Sequence, residues 1–224
     1  MSKSVCFLKK IKKFNDTIYI DGDKSLSIRW ALLASIAIGK SKAFNLLRSE
    51  DVLSTLRLLK KLGVKVRSTK KFCEINGNGL NSYKYKKNLV INAGNSGTLG
   101  RLILALLIES PEKIKLIGDK SLSKRDFSRI IKPLNKFGAT FFPKDKKTLP
   151  LFIKGTNLIR PIKYFENKGS AQCKTSVMLA ALNSPGETII KAKMANSNAP
   201  ANPPNALTFP VPKLYLVSWA WRRA

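Results

Sequence analysis

Gly22-Asp23-Lys24-Ser25-Leu26-Ser27-Ile28-Arg29 recurs downstream as Gly118-Asp119-Lys120-Ser121-Leu122-Ser123-Lys124-Arg125, with Lys124 in place of Ile28 as the only difference. A segment kept this closely within one chain points to internal repetition. Each copy reads as a helix start. Asp is suited to cap the helix, Lys and Ser decorate its first turn, and Arg lies four residues after Ser on the same face. A helix beginning exposes unpaired N–H groups and a partial positive charge, so it attracts anions. Arg adds a planar fork that fits phosphate or carboxylate with paired hydrogen bonds.

Two further patterns extend the reading. Leu58-Leu59-Lys60-Lys61-Leu62-Gly63-Val64-Lys65-Val66 resembles Pro133-Leu134-Asn135-Lys136-Phe137-Gly138-Ala139-Thr140-Phe141. Each predicts a helix ended by a left-handed Gly and followed by a short strand. Helix starts also recur. Asp23-Lys24-Ser25 opens an apolar helix through Ile38, stopped by Gly39. Asn95-Ser96-Gly97-Thr98 opens one through Ile108, stopped near Pro111. Gly169-Ser170-Ala171-Gln172 opens one through Leu182, stopped at Pro185-Gly186. Strands are expected at Thr17–Ile20, Phe44–Leu47, Phe72–Ile75, Leu89–Ile91, Ile114–Ile117, Leu151–Ile153 and Glu187–Ile190. The chain therefore reads as an α/β protein of about three helix-and-strand units, the third unfinished. From Met194 to Ala224 the character changes. Asn196 through Pro204 is a run of Asn, Ala, Ser and Pro, which reads as an unstructured linker.

Composition narrows the chemistry. The 224 residues include 42 Lys+Arg, 13 Asp+Glu and no His, a net charge of +29. Without His, imidazole acid–base work, His-based triads and His-ligated zinc are ruled out. Cys6, Cys73 and Cys173 are odd in number and far apart, so each is expected to be a small buried apolar residue in a reducing cytoplasm. No apolar run approaches the roughly 20 residues that span a bilayer, and Met1–Phe14 does not read as a secretory signal. The positive charge favours anionic partners. The lysines are spread in pairs without interleaved aromatics, which fits solvated lysine faces or a basic cleft for anions better than a nucleic-acid platform.

Three segments are candidates for chemistry: Gly22–Arg29 with its second copy, Asn95–Thr98 followed by Arg101, and Ser170-Ala171-Gln172 with Lys174 beside it. Gly97 allows a ligand close to the backbone. Gly39-Lys40-Ser41 has the ending of a phosphate-binding loop, but Ala34 stands where that motif needs Gly. Asp21-x-Asp23 and Glu50-Asp51 are too sparse for a metal site. Asp51 is expected to favour the start of its own helix by charge.

Taken in order, Gly22-Asp23-Lys24-Ser25-Leu26-Ser27-x-Arg29, Asn95-Ser96-Gly97-Thr98-x-x-Arg101-Leu102, Gly118-Asp119-x-Ser121-Leu122-x-x-Arg125 and Ser170-Ala171-Gln172-x-Lys174 resemble the 3-phosphoshikimate 1-carboxyvinyltransferase (EPSP synthase) family. So do Leu47-x-Ser49-Glu50-Asp51-Val52 and Leu62-Gly63. The similarity runs from about Thr17 to about Lys193. The resemblance implies an inside-out α/β fold of βαβαββ units, here with the third incomplete. It implies transfer of the enolpyruvyl group of phosphoenolpyruvate to the 5-hydroxyl of shikimate 3-phosphate, with release of phosphate. No metal or organic cofactor is expected, and the family is usually monomeric and cytoplasmic. The small anionic substrates are the expected partners, with neither nucleic acid nor membrane. Lys24 is the expected catalytic residue, touching both substrates. Ser25, Arg29, Ser170, Ala171 and Gln172 are expected to hold shikimate 3-phosphate. Asn95, Gly97, Arg125 and Gln172, with Lys24, are expected to line the phosphoenolpyruvate site. Residues 1–16 would pack with a second domain, 17–193 would form the substrate-binding domain, and 194–224 would be an atypical, unstructured tail.

The chain departs from the family pattern in places. Asp21 stands for a usual Pro, Ile28 for a usual His, and Asp126 for a usual Pro. Asp126 is expected to weaken the phosphoenolpyruvate site by setting a negative charge beside Arg125. The family's second domain is not expected within these residues, so the chain alone is expected to have little or no synthase activity. Two alternatives remain open: a non-catalytic basic module that binds nucleic acid, and a relative of UDP-N-acetylglucosamine carboxyvinyltransferase. The latter family relies on a reactive loop Cys, and no Cys here falls in a matching motif.

Overall fold

The computed structural model describes residues 21–167, 169–192 and 207–208. The expected strand at Thr17–Ile20, the 1–16 segment and the Asn196–Pro204 run lie outside the described residues. Among the described residues, helices alternate with short strands in three small sheets. The first group holds α1 (Lys24–Ile36), β1 (Ile38–Phe44), α2 (Glu50–Lys61), β2 (Lys65–Ser68) and β3 (Phe72–Asn78). The second holds β4 (Val90–Asn92), α3 (Gly97–Leu106), β5 (Ile114–Ile117), α4 (Lys120–Ser123), α5 (Ser128–Phe137), β6 (Thr140–Phe142) and β7 (Leu151–Lys154). The third holds β8 (Lys163–Glu166), α6 (Ala171–Ala181), β9 (Ile189–Ala192) and β10 (Leu207–Thr208).

The sheets echo one another. The first is ordered β1-β3-β2 and the second β4-β5-β7-β6, with the hairpins β2-β3 and β6-β7 antiparallel. β4 runs parallel to β5 across α3, as β8 runs parallel to β9 across α6. Each of these pairs is a strand–helix–strand crossover.

α3 is the centre of the molecule. Of its ten residues, only Arg101 is not fully buried. A helix apolar on all sides must be enclosed by other elements, and α3 packs against α1 and α6. One contiguous core joins Leu32 and Leu59 of the first group, Leu102 and Phe127 of the second, and Val177 and Ala180 of the third. Cys73 and Cys173 belong to it, as small apolar residues would.

The structure corrects the sequence reading in four places. α1 ends at Ile36 with Ala37 as its cap, not at Ile38. Ile38–Phe44 is instead a strand paired with β3 along its whole length, so the expected strand at Phe44–Leu47 lies too far downstream. Half-buried Gly39, Ser41 and Ala43 alternate with exposed Ile38, Lys40, Lys42 and Phe44. That period of two defines the strand, although the apolar run ahead of it suggests a longer helix. Gly39, with φ of 91°, sits within this strand opposite Gly77 and stops no helix. The strand β8 gave no sequence signal.

The fourth correction concerns the eight-residue echo. In sheet topology the counterpart of α1's group position is α3, whereas the second copy forms α4, a four-residue helix after β5. What the copies share is a capped turn. Asp23 Oδ1 accepts from Leu26 N at 2.7 Å, and Asp119 Oδ1 accepts from Leu122 N at 2.7 Å. The second echo does fall at matching places. Gly63 (φ 80°) and Gly138 (φ 115°) end α2 and α5 just before β2 and β6.

Candidate functional site

Three helices contribute their beginnings, each with a side-chain cap that satisfies an otherwise unpaired N–H. Asp23 caps α1, Ser96 caps α3 by accepting from Leu99 N at 3.2 Å, and Ser170 caps α6 by accepting from Cys173 N at 3.3 Å. Side-chain bonds then tie these beginnings together. Arg29 donates through Nε to Thr175 Oγ1 at 3.2 Å, joining α1 to α6, and through Nη1 to the Ser25 carbonyl. Arg101 donates through Nη1 to Gln172 Oε1 at 3.1 Å, and Gln172 Nε2 donates to Thr98 Oγ1 at 3.0 Å, joining α3 to α6. Arg125 donates through Nη2 to Asn95 Oδ1 at 2.8 Å, drawing the loop after α4 onto the loop before α3.

The densest point is Gly97. A methyl group built on its Cα would lie 2.6 Å from Arg101 Nη1 and 3.2 Å from Arg125 Nη1. Two guanidiniums thus crowd one small residue. Burial lowers the pKa of the Arg101 guanidinium, and the nearby charges of Arg125 and Arg129 lower it further, against the opposing Cys173 and Asp126. Burial likewise lowers Arg29, with Asp23 opposing. Partly desolvated, mutually repelling cations favour an anion among them.

Lys24 is tied to a different element. It forms a 3.0 Å ion pair with Asp51, and Asp51 with Glu50 also occupies the first turn of α2, as expected from charge. Ser25, Ala171 and Gln172 fall on the first turns of their helices. The structure therefore links Arg29, Asn95, Gly97, Arg125 and Gln172 with the caps around them, and ties Lys24 to α2. Thr175, Thr98 and Asp51 complete the arrangement. Thr175 was not legible, because its role depends on donating to the Ala171 carbonyl at 2.8 Å, which leaves its oxygen to accept from Arg29. None of the candidate residues lines the cavity of about 440 Å3 between α2 and the β2–β3 hairpin, which is bounded by Arg48, Ser49, Thr69 and Phe72.

The charge of Asp126 stays beside the arginines, and its carboxylate has a partner of its own. Its carboxylate turns onto Ser128, accepting from the backbone N at 2.7 Å and the hydroxyl at 2.8 Å, at the start of α5. Its backbone carbonyl accepts from Arg101 Nη2 at 3.2 Å. The Ser128 backbone N–H, then its hydroxyl, hold the carboxyl below the usual range, and Lys147 and Arg129 add to this. A carboxylate favoured in the fold contributes stability above its unfolded pKa, near 4, and loses it as pH falls through the lower folded value. Asp126→Ala is expected to cost roughly 0.5 kcal/mol at pH 7, since water screens this exposed carboxylate. Paired urea unfolding at pH 7 and pH 2.5 should show that cost shrinking in acid.

The fold defines a mixed α/β protein in which arginines tie together the beginnings of α1, α3 and α6. The comparisons agree with that class. The model of the EPSP synthase (3-phosphoshikimate 1-carboxyvinyltransferase) family matches residues 8–199. The chain is 38% identical over 183 residues to the 3-phosphoshikimate 1-carboxyvinyltransferase of Streptococcus mutans serotype c, covering 81% of this chain and 43% of the relative. It is 37% identical over 191 residues to that of Streptococcus suis, covering 85% and 45%. The solved EPSP synthase of Acinetobacter baumannii superposes with a TM-score of 0.74 at 33% identity, over 81% of this chain and 41% of that one. The chain belongs to the EPSP synthase family, and it spans less than half the length of these relatives.

Proposed function

We propose that this chain is the shikimate-phosphate-binding half of an enolpyruvyl transferase, which joins the enolpyruvyl group of phosphoenolpyruvate to the 5-hydroxyl of shikimate 3-phosphate and releases phosphate. The observation that carries this reading is the pair of arginines, Arg101 and Arg125, crowding Gly97 beside the Gln172 amide. Ser25, Arg29, Ser170, Ala171 and Gln172 hold shikimate 3-phosphate. Asn95, Gly97, Arg125 and Gln172 receive phosphoenolpyruvate. Lys24 leaves Asp51 to touch both substrates and is the catalytic residue of this half. Holding two anions together in a fixed orientation can contribute several kcal/mol to a bimolecular step.

The three groups are read as βαβαββ repeats, the third incomplete. Residues 17–193 are read as the domain, while the readings of 1–16 and most of 194–224 fall outside the described residues. The chain works in the cytoplasm as a monomer. The nucleic-acid alternative has less support. Lys42 lies 4.2 Å from the centroid of the Phe72 ring and Lys113 lies 4.7 Å from that of Phe142, so lysines cover ring faces that bases would need. The UDP-N-acetylglucosamine alternative needs a reactive thiol, whereas burial pushes both Cys73 and Cys173 up.

The test is reconstitution. Alone, the purified chain is expected to release little or no phosphate from phosphoenolpyruvate and shikimate 3-phosphate. Mixed with a separately produced C-terminal half of a family member, it is expected to gain activity. Ordinary turnover by the chain alone would refute the half-enzyme reading, and two folded halves that stay inactive together would refute the substrate assignment.

A further inference from the structure

We infer that Arg101 is the residue that sets the direction of the Gln172 carboxamide, and that it serves the site through Gln172 as a positioning residue rather than as a ligand. The inference rests on the proposed role of Gln172 in contacting the substrates.

An amide side chain has two ends of opposite character. Its Nε2 can donate to an anion, whereas its Oε1 repels one. Which end faces the ligand depends on what holds the other. Gln172 is held at both ends, by Arg101 at Oε1 and by Thr98 at Nε2. The two holders differ in kind. A guanidinium can only donate, so the atom facing Arg101 must be the oxygen. A hydroxyl donates or accepts, so Thr98 accommodates either orientation. Arg101 therefore dictates the direction and Thr98 follows it. One Nε2 hydrogen is taken by Thr98 and the second remains for a ligand.

Arg101 is itself fixed. It donates to the Gly97 carbonyl one turn earlier and to the Asp126 carbonyl, and it lies 4.8 Å from the centroid of the buried Phe127 ring. It is the one residue of α3 that is not fully buried, and three of its five N–H donors go to protein oxygens from three separate segments. Its neighbour in function, Arg125, donates to Asn95 and is exposed, as a group kept for a ligand would be.

The test measures the orientation and the binding separately on the full chain. Arg101→Met keeps much of the volume over Phe127 and removes every donor. Its Gln172 side-chain 15N–1H2 resonances are expected to shift, and calorimetric affinity for shikimate 3-phosphate to fall roughly tenfold or more. Arg101→Lys, a charged donor, is expected to restore most of that affinity. In a Gln172→Ala background, Arg101→Met is expected to lose clearly less affinity than it does beside an intact Gln172, because only the lost charge acts there and nothing is left for Arg101 to orient. Should Arg101→Met fail to fold, Arg101→Gln is read in the same two measurements, since an amide that both donates and accepts no longer dictates direction. Unchanged Gln172 resonances, or an equal loss in the Gln172→Ala background, would overturn the inference. A wild-type chain that does not bind shikimate 3-phosphate would instead overturn the proposed function, and the resonances would still decide the role of Arg101.

Discussion

Gly77→Ala is expected to cost about 3 kcal/mol or more and to lower the melting temperature by roughly 6–12 °C. A Cβ at this position would lie 2.3 Å from the carbonyl oxygens of both Ala34 and Ala37 and 3.0 Å from that of Ser35. Those oxygens are backbone at the end of α1, so no side chain can swing aside. The same contact recurs in the second group. A Cβ on Gly155 would lie 2.3 Å from the Ile108 carbonyl oxygen and 2.5 Å from Ser110 N, where the chain leaves α3. In both groups the last strand of the sheet closes onto the end of a helix through a Gly with no room for a side chain. Gly169→Ala is the control. Its φ of 67° carries ordinary strain, but nothing lies within 4 Å, so a cost of about 1 kcal/mol is expected. Thermal melts of the three variants check this, and a Gly77→Ala protein as stable as Gly169→Ala would contradict the packing described.

Gly97→Ala should separate binding from folding. Its new methyl would press on Arg101 Nη1 at 2.6 Å and Arg125 Nη1 at 3.2 Å, both at the far ends of flexible side chains. The chain can yield there, so the melting temperature is expected to move by only a few degrees. The guanidiniums cannot stay where they are, and the space between them fills. Affinity for phosphoenolpyruvate, measured with shikimate 3-phosphate present, is expected to fall at least about tenfold, a loss of ~1.4 kcal/mol. Arg125→Ala is expected to match that loss. A Gly97→Ala protein that binds both compounds normally would show that the anion sits elsewhere.

Much of this arrangement was legible in the residues. The three main helix starts, Asp23, Ser96 and Ser170, were readable because capping chemistry is local. The helix ends at Gly63 and Gly138 were readable for the same reason. β1 was not, because the apolar run through Ile38 masks the strand alternation, and its pairing with β3 is a distant contact. The Gly22–Arg29 echo was visible, yet its meaning depended on topology. One copy opens a long helix and the other only a single turn, so Arg29 reaches α6 while Arg125 reaches Asn95. The paired glycines Gly77 and Gly155 left a signal that was overlooked, Ile75-Asn76-Gly77 against Ile153-Lys154-Gly155. The carboxylate of Asp126 shows the opposite limit, since sequence adjacency to Arg125 says nothing of where a side chain turns.

The central claim is that the beginnings of α1, α3 and α6 form one anion pocket within this half of the fold. Titrating 15N-labelled chain with shikimate 3-phosphate tests it most directly. The account predicts saturable shifts concentrated on Ser25–Arg29, Asn95–Gly97 and Ser170–Gln172. Shifts spread over the sheet-face lysines, such as Lys42 and Lys113, with no saturation, would contradict it.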